Sequence, residues 1–202
     1  YEPAAGAGAH APHLGAGAAQ RADIVCLQET KATKDDVDIK QLEALGFHHY
    51  WYSAQKKGYS GVAVFTKVKP DKVEYGNGHG PSDDEGRVLQ LDFKDVRLIN
   101  AYFPSGTSGD ERQDFKYKWL DEYFKWLNQL KKKHPKLILC GDYNIAHNEI
   151  DIHDPKGNKK SSGFWTTRSK FERTHCMRIV FRKKIKILWI NGYCSRRRSC
   201  GL

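Results

Sequence analysis

"LCGDYNIAHNEIDIHDPKGNKKSSGF", residues 139–164, opens as the end of an apolar run and then gathers four carboxylates, two histidines, three asparagines and three lysines. Its lead-in, "KLILCGDYN" (136–144), reads as a strand that delivers Asp142 and Asn144 at its carboxyl end. Two other apolar runs end in functional groups: "DIVCLQE" (23–29) in Glu29, and "VRLINAYF" (96–103) with Tyr102. Polar groups converging from separate strand ends are how a mixed α/β scaffold builds a site. Mg²⁺ takes one or two carboxylates and otherwise keeps water and phosphate oxygens, which suits Glu29. Asp142 suits the handling of an attacking water, Asn144 its orientation, and Tyr102 a hydrogen bond to phosphate or leaving oxygen. A strand-end Asp-Tyr-Asn reads equally as an ordinary turn or helix cap. The residues alone leave both readings open.

Outward from that stretch, the chain alternates strand and helix patterns. "DDVDIKQLEALGF" (35–47) has helical spacing at Val37, Leu42 and Leu45, with Gly46 as its stop. "HHYWYSA" (48–54), "GVAVFTK" (61–67), "RVLQLDF" (87–93) and "VRLINAYF" are rich in β-branched and aromatic residues. The turn segments "KKGYSG", "NGHGPSDDEG" and "KD" separate them. The longest helix is expected from Ser108, where Ser108 and Glu111 form a capping box, with Phe115, Trp119, Tyr123, Trp126, Leu127 and Leu130 as its apolar face. Lys131, Lys132 and Lys133 suit its C-terminal dipole and His134-Pro135 ends it. Such a pattern predicts an α/β or α+β fold, with several strands antiparallel.

A formal charge of +10 suggests a nucleic-acid binder until it is located. Residues 165–202 hold eleven Lys/Arg and one acid, Glu172, which leaves 23 basic and 23 acidic residues for the rest. The excess therefore lies wholly in the tail, and a DNA reading of residues 1–164 must rest on local patches. Residues 1–20 are twelve parts Ala and Gly and read as low complexity. No apolar run reaches the ~18 residues of a membrane span, and no secretory signal is readable. Cys26 and Cys140 read as buried free thiols; Cys176, Cys194 and Cys200 lack the spacing of a zinc site.

The segments "DIVCLQETK", "GYSGVAVFTK", "DEGRVLQLDF", "NAYFPSG" and residues 139–164 together resemble, in order, the exonuclease III family of apurinic/apyrimidinic endonucleases. That family sits in the wider endonuclease/exonuclease/phosphatase superfamily. "LQET" and "GDYN" alone indicate the superfamily, and "NEIDIHDPKGNKKSSGF" sets aside a phosphoinositide or sugar-phosphate phosphatase. With the resemblance, three segments are expected: 1–21 a low-complexity or non-native segment, 22–164 a partial endonuclease/exonuclease/phosphatase domain, and 165–202 a basic, non-matching tail. It implies an incomplete four-layer αββα sandwich of the deoxyribonuclease I-like type. It further implies a Mg²⁺-dependent DNA repair nuclease, with Mn²⁺ as a substitute metal. Such an enzyme cleaves 5′ to abasic sites and has 3′–5′ exonuclease activity. Glu29 matches the metal-binding glutamate; Asp142, Asn144 and Tyr102 match catalytic residues. Lys31, Tyr59, Arg112, Lys156, Asn158, Lys159 and Ser161 match DNA-contacting positions. The implied partner is double-stranded DNA with abasic sites or 3′ ends, bound by a cytoplasmic, genome-associated monomer without a membrane.

The chain also departs from the family pattern. The family's first strand carries an asparagine, whereas no Asn precedes Asn77 here. The family's later half supplies a further aspartate and a Ser-Asp-His, whereas no Asp follows Asp154 and the one later histidine is His175. The competing expectation is a catalytically inactive fragment whose basic tail binds nucleic acid without specificity.

Overall fold

"IVCLQ" is apolar up to its final glutamine and buried along its whole length, and the backbone N–H and C=O groups of a fully buried strand need partners along both edges. In a computed structural model that describes residues 22–106, 109–145 and 187–191, it has both. This strand, β1 (Ile24–Gln28), pairs antiparallel with β3 (Val62–Thr66), which pairs antiparallel with β2 (His48–Tyr52). On its other edge β1 pairs in parallel with β8 (Ile187–Asn191). A strand from the C-terminal basic segment thus extends the first sheet.

A second sheet has the order β4-β5-β6-β7: β4 (Lys72–Tyr75), β5 (Val88–Phe93), β6 (Val96–Tyr102) and β7 (Leu137–Asp142). The first three pair antiparallel, while β6 and β7 run parallel. A parallel pair needs a long crossover, and here it is the helix α3 (Asp110–Lys133). Two shorter helices, α1 (Ile39–Ala44) and α2 (Gly80–Asp84), precede it.

Side-chain alternation sorts these elements into four layers. On β1, Ile24 and Cys26 face the second sheet, while Val25 and Leu27 join Leu42 of α1 and Phe47. On β6, Leu98 and Tyr102 face the first sheet, while Ile99 and Ala101 join Phe103 against Trp119, Tyr123 and Leu127 of α3. The order is helix, sheet, sheet, helix: the mixed α/β class the residue pattern predicted, in the layered sandwich the family resemblance implied.

Three local expectations change. The segment "KVEY" is too short and too charged to stand out, yet β5 recruits it as an edge strand. "GPSDD", expected as turn, forms α2, with its proline in the first turn. Helix α3 starts at Asp110 behind Gly109, whose φ of 102° only glycine adopts easily, and no side chain caps it. Ser108, the expected cap, lies outside the described residues. Both described cysteines are free thiols, Cys26 buried and Cys140 partly so. No helix among the described residues is long and apolar enough to cross a membrane.

Candidate active site

The parallel register of β6 on β7 pairs Tyr102 with Asp142. Tyr102 itself packs between the sheets, and Asp142 lies two residues after Cys140, which packs there too, so both fall on the face that meets the first sheet. Gly141 permits this close approach. Its φ is 153°, and a Cβ there would lie 1.8 Å from the Ala101 carbonyl oxygen.

Glu29 follows β1 directly, and its left-handed backbone (φ 53°) turns the chain sharply at the sheet's end. Lys31, Ser60 and Asn144 share that conformation, at 51°, 47° and 48°. Four strained residues at one end of the molecule need support from their surroundings. Thr30 and Lys31 donate their amides to the carbonyls of Gly61 and Ser60, at 3.2 and 2.9 Å. The Asn144 amide donates to Asp142 Oδ1 at 3.0 Å, and Asn144 Nδ2 donates to the Phe103 carbonyl at 2.8 Å. Lys116 Nζ donates to the Asn144 carbonyl at 2.8 Å.

Electrostatics follow from that packing. Lys31 Nζ lies 3.0 Å from Glu29 Oε1, with a side chain 44% exposed, so water screens much of the pair. Burial raises the Tyr102 phenol well above the usual tyrosine value, the Glu29 and Asp142 carboxylates push the same way, and Arg87 opposes them. The phenol therefore stays a neutral donor at physiological pH. Burial draws the Lys116 amine down to about 8, against the pull of the Asp142 carboxylate.

Beside this group lies a second cluster. Arg87, 2% exposed, donates from Nη1 to the Tyr102 carbonyl at 2.8 Å and sits 4.9 Å over the Tyr102 ring. Its Nε meets Glu85 Oε2 at 2.6 Å, and its Nη2 reaches the Tyr59 hydroxyl at 3.4 Å. Arg112, on α3, donates to the same hydroxyl at 3.0 Å and to Glu85 at 2.9 Å. Burial disfavours the ionised Glu85 carboxyl, but hydrogen bonds from Arg112 and Arg87 outweigh it and hold the carboxyl below its ordinary value. Arg87 thereby ties the Tyr59–Arg112 cluster to Tyr102.

The structure thus brings Glu29, Lys31, Tyr102, Asp142 and Asn144 to one end of the sandwich, and joins Tyr59 to Arg112 alongside. Lys156, Asn158, Lys159 and Ser161 lie outside the described residues. Sequence reasoning passed over Glu85, Arg87, Lys116, Gln28 and Asn100. Gln28 and Asn100 form a buried inter-sheet clasp. Gln28 Nε2 donates to Asn100 Oδ1 at 2.5 Å, and Asn100 Nδ2 donates to the carbonyls of Leu27 and Ala63, each at 3.0 Å. The available signal was a polar residue inside an apolar run, one or two positions before a candidate. No group of three or more His, Cys, Asp or Glu side chains placed to hold a metal occurs among the described residues.

The profile of the Endonuclease/Exonuclease/phosphatase family matches residues 11–183. The chain belongs to that family. Within it the chain is similar to an exodeoxyribonuclease of Bacillus subtilis (strain 168), 45% identical over 143 residues that cover 71% of this chain and 55% of the relative. The DNA repair nuclease APEX1 of Danio rerio is 43% identical over 145 residues, 70% of this chain and 46% of the relative. The chain spans about half the length of these curated relatives. The fold matches that of a 3′-5′ exonuclease (NExo) from Neisseria meningitidis, with a TM-score of 0.67 and 28% identity over 75% of this chain and 59% of that one. An AP endonuclease from Archaeoglobus fulgidus matches with a TM-score of 0.65, at the same identity and coverage. The fold is therefore that of the exonuclease III/AP endonuclease members of the family.

Proposed function

We propose that the chain carries the site of a Mg²⁺-dependent DNA repair nuclease, acting on the backbone 5′ to abasic sites and, as an exonuclease, on 3′ ends. The carrying observation is the side-by-side placement of Tyr102 and Asp142 at one end of the sandwich, with the Glu29 carboxylate near enough for its charge to bear on the phenol.

The donor chemistry fits the metal. Glu29 offers a hard oxygen, its side chain is 24% exposed, and its present partner is a lysine that water already screens. Mg²⁺ sites need only one or two carboxylates, with water and substrate phosphate supplying the remaining oxygens. Glu29 would hold the ion, which when bound neutralises charge on the scissile phosphate.

The chain's own residues account for the rest. Asp142 takes the proton of the attacking water, whose oxygen bonds to phosphorus as the phosphorus–oxygen bond to the leaving sugar breaks. The Asn144 side chain is held by the Phe103 carbonyl, which leaves its Oδ1 to orient that water. The neutral Tyr102 phenol donates a hydrogen bond to a phosphate oxygen, more strongly as charge develops. Tyr59 and Arg112 seat the neighbouring backbone phosphate, and Lys31 adds positive charge beside it. Lys156, Asn158, Lys159 and Ser161 complete the DNA contact.

The test is incision of a duplex bearing one abasic analogue, in Mg²⁺ and in EDTA, by the chain and by Asp142→Ala. Mg²⁺-dependent incision at the lesion, lost in the variant, is expected. Binding that ignores the lesion and collapses steeply with salt, without incision, would instead establish the fragment reading.

A further inference from the structure

Helix α3 carries a lysine where its packing calls for an apolar residue. Lys116 lies three and four residues before Trp119 and Leu120, inside the stripe that continues through Tyr123, Leu127 and Leu130. It is fully buried, at 0% exposure. An ammonium in that position loses its hydration, and a methionine of the same length would fill the volume without that loss. What the lysine adds is a donor and a charge, and both have a destination. Nζ donates to the carbonyl of Asn144 at 2.8 Å, and its charge is felt by Asp142 two residues earlier.

The segment it touches is strained. Asn144 is left-handed and is otherwise tethered by its amide to Asp142 Oδ1 and by its side chain to the Phe103 carbonyl. Without a donor behind the Asn144 carbonyl, the turn has less reason to keep a conformation that L-residues disfavour. One helical turn earlier, Arg112 grips Tyr59 and Glu85. A single face of α3 therefore supports both halves of the site.

Resting on the nuclease reading above, we propose that Lys116 is a positioning residue. Its buried ammonium holds the Asp142–Asn144 turn through the Asn144 carbonyl and sets a positive charge behind the Asp142 carboxylate. The residue acts from the core side and does not touch substrate.

Two variants of the full chain test this. Lys116→Met keeps the length and removes donor and charge, whereas Lys116→Arg keeps both. The Met variant is expected to melt at the parent's temperature or above, because removing a buried charge in favour of an apolar isostere is neutral or stabilising. Its Asn144 amide is expected to exchange with solvent about tenfold faster than the parent's, while amides in the α3 core keep their protection. Its kcat on an abasic duplex is expected to fall by about tenfold or more, with KM moving less than about threefold. Lys116→Arg is expected to recover both readouts. A folded Met variant with amide exchange and kcat within about twofold of the parent overturns the assignment. A Met variant that no longer folds overturns it as well, by making Lys116 a structural residue. If the parent chain makes no incision, the nuclease reading fails by itself, and the Asn144 exchange rates still decide the role of Lys116.

Discussion

Asn100→Leu removes the centre of the clasp between the two sheets. Asn100 is fully buried, donates to the Leu27 and Ala63 carbonyls at 3.0 Å each, and accepts from Gln28 at 2.5 Å. Leucine has a similar volume, so the loss is polar rather than a cavity. Each hydrogen bond contributes about 1 kcal/mol net, and a buried partner left unsatisfied costs about 1–3 kcal/mol. The Gln28 amide loses its acceptor and two carbonyls each lose a donor; at the low end of that range, about 1–1.5 kcal/mol apiece, the loss is about 3–5 kcal/mol. Against a total stability of about 5–15 kcal/mol, that brings the variant near its unfolding threshold. Urea unfolding followed by tryptophan fluorescence measures it: with a slope of about 2 kcal/mol per molar, the midpoint falls by about 2 M. Gln28→Leu in the same chain removes one of the three orphans and is expected to restore about 1–2 kcal/mol. A single variant that costs under about 1 kcal/mol would refute the reasoning, because the amides would then be finding other partners.

Gly141→Ala puts a methyl 1.8 Å from the Ala101 carbonyl and forces β6 and β7 apart; a loss of about 3 kcal/mol or more in urea unfolding, with incision impaired, is expected. Arg97 binds Asp92 and Glu74 at 2.6 and 2.7 Å, and its hydrogen bond holds the Asp92 carboxyl below its usual value; Glu74 is held down first by Lys72 and then by Arg97. Both folded values are depressed, so this stability is present above the unfolded carboxyl values, about 4, and is lost as pH falls through the folded ones. Thermal unfolding of Arg97→Met should therefore show its largest deficit against the parent near neutrality and a shrinking one below about pH 4. Tyr102→Phe keeps the ring under Arg87 and deletes the donor; kcat is expected to fall about 10²-fold with little change in melting temperature, and a full-rate variant would remove Tyr102 from the chemistry.

Helix α3 illustrates the limit of a linear reading. Its aromatic stripe and lysine-rich end are local patterns, and the structure keeps both, with Trp119, Tyr123 and Leu127 buried. Its Lys116 is invisible to the same logic, because a lysine in a helix is ordinarily read as solvated. The carbonyl of Asn144, delivered by a strand 28 positions away, shows why it is inside. Arg87 is similar: a charge at a strand start looks like surface until Tyr102, Glu85 and Tyr59 close over it.

Strand ends, apolar periodicity and the polar content of residues 139–164 determined the layered α/β class and named Glu29, Tyr102, Asp142 and Asn144. Each of those signals is carried by neighbours in the chain, where backbone geometry alone sets which face a side chain takes. Tertiary structure decided which strand edges meet, including the pairing of β8 with β1 and the recruitment of β4. It also decided that Gln28 and Asn100, 72 positions apart, lock the sheets just behind the site. Those choices depend on burial and on long-range partners, because a polar group's cost inside a core is set by what stands opposite it.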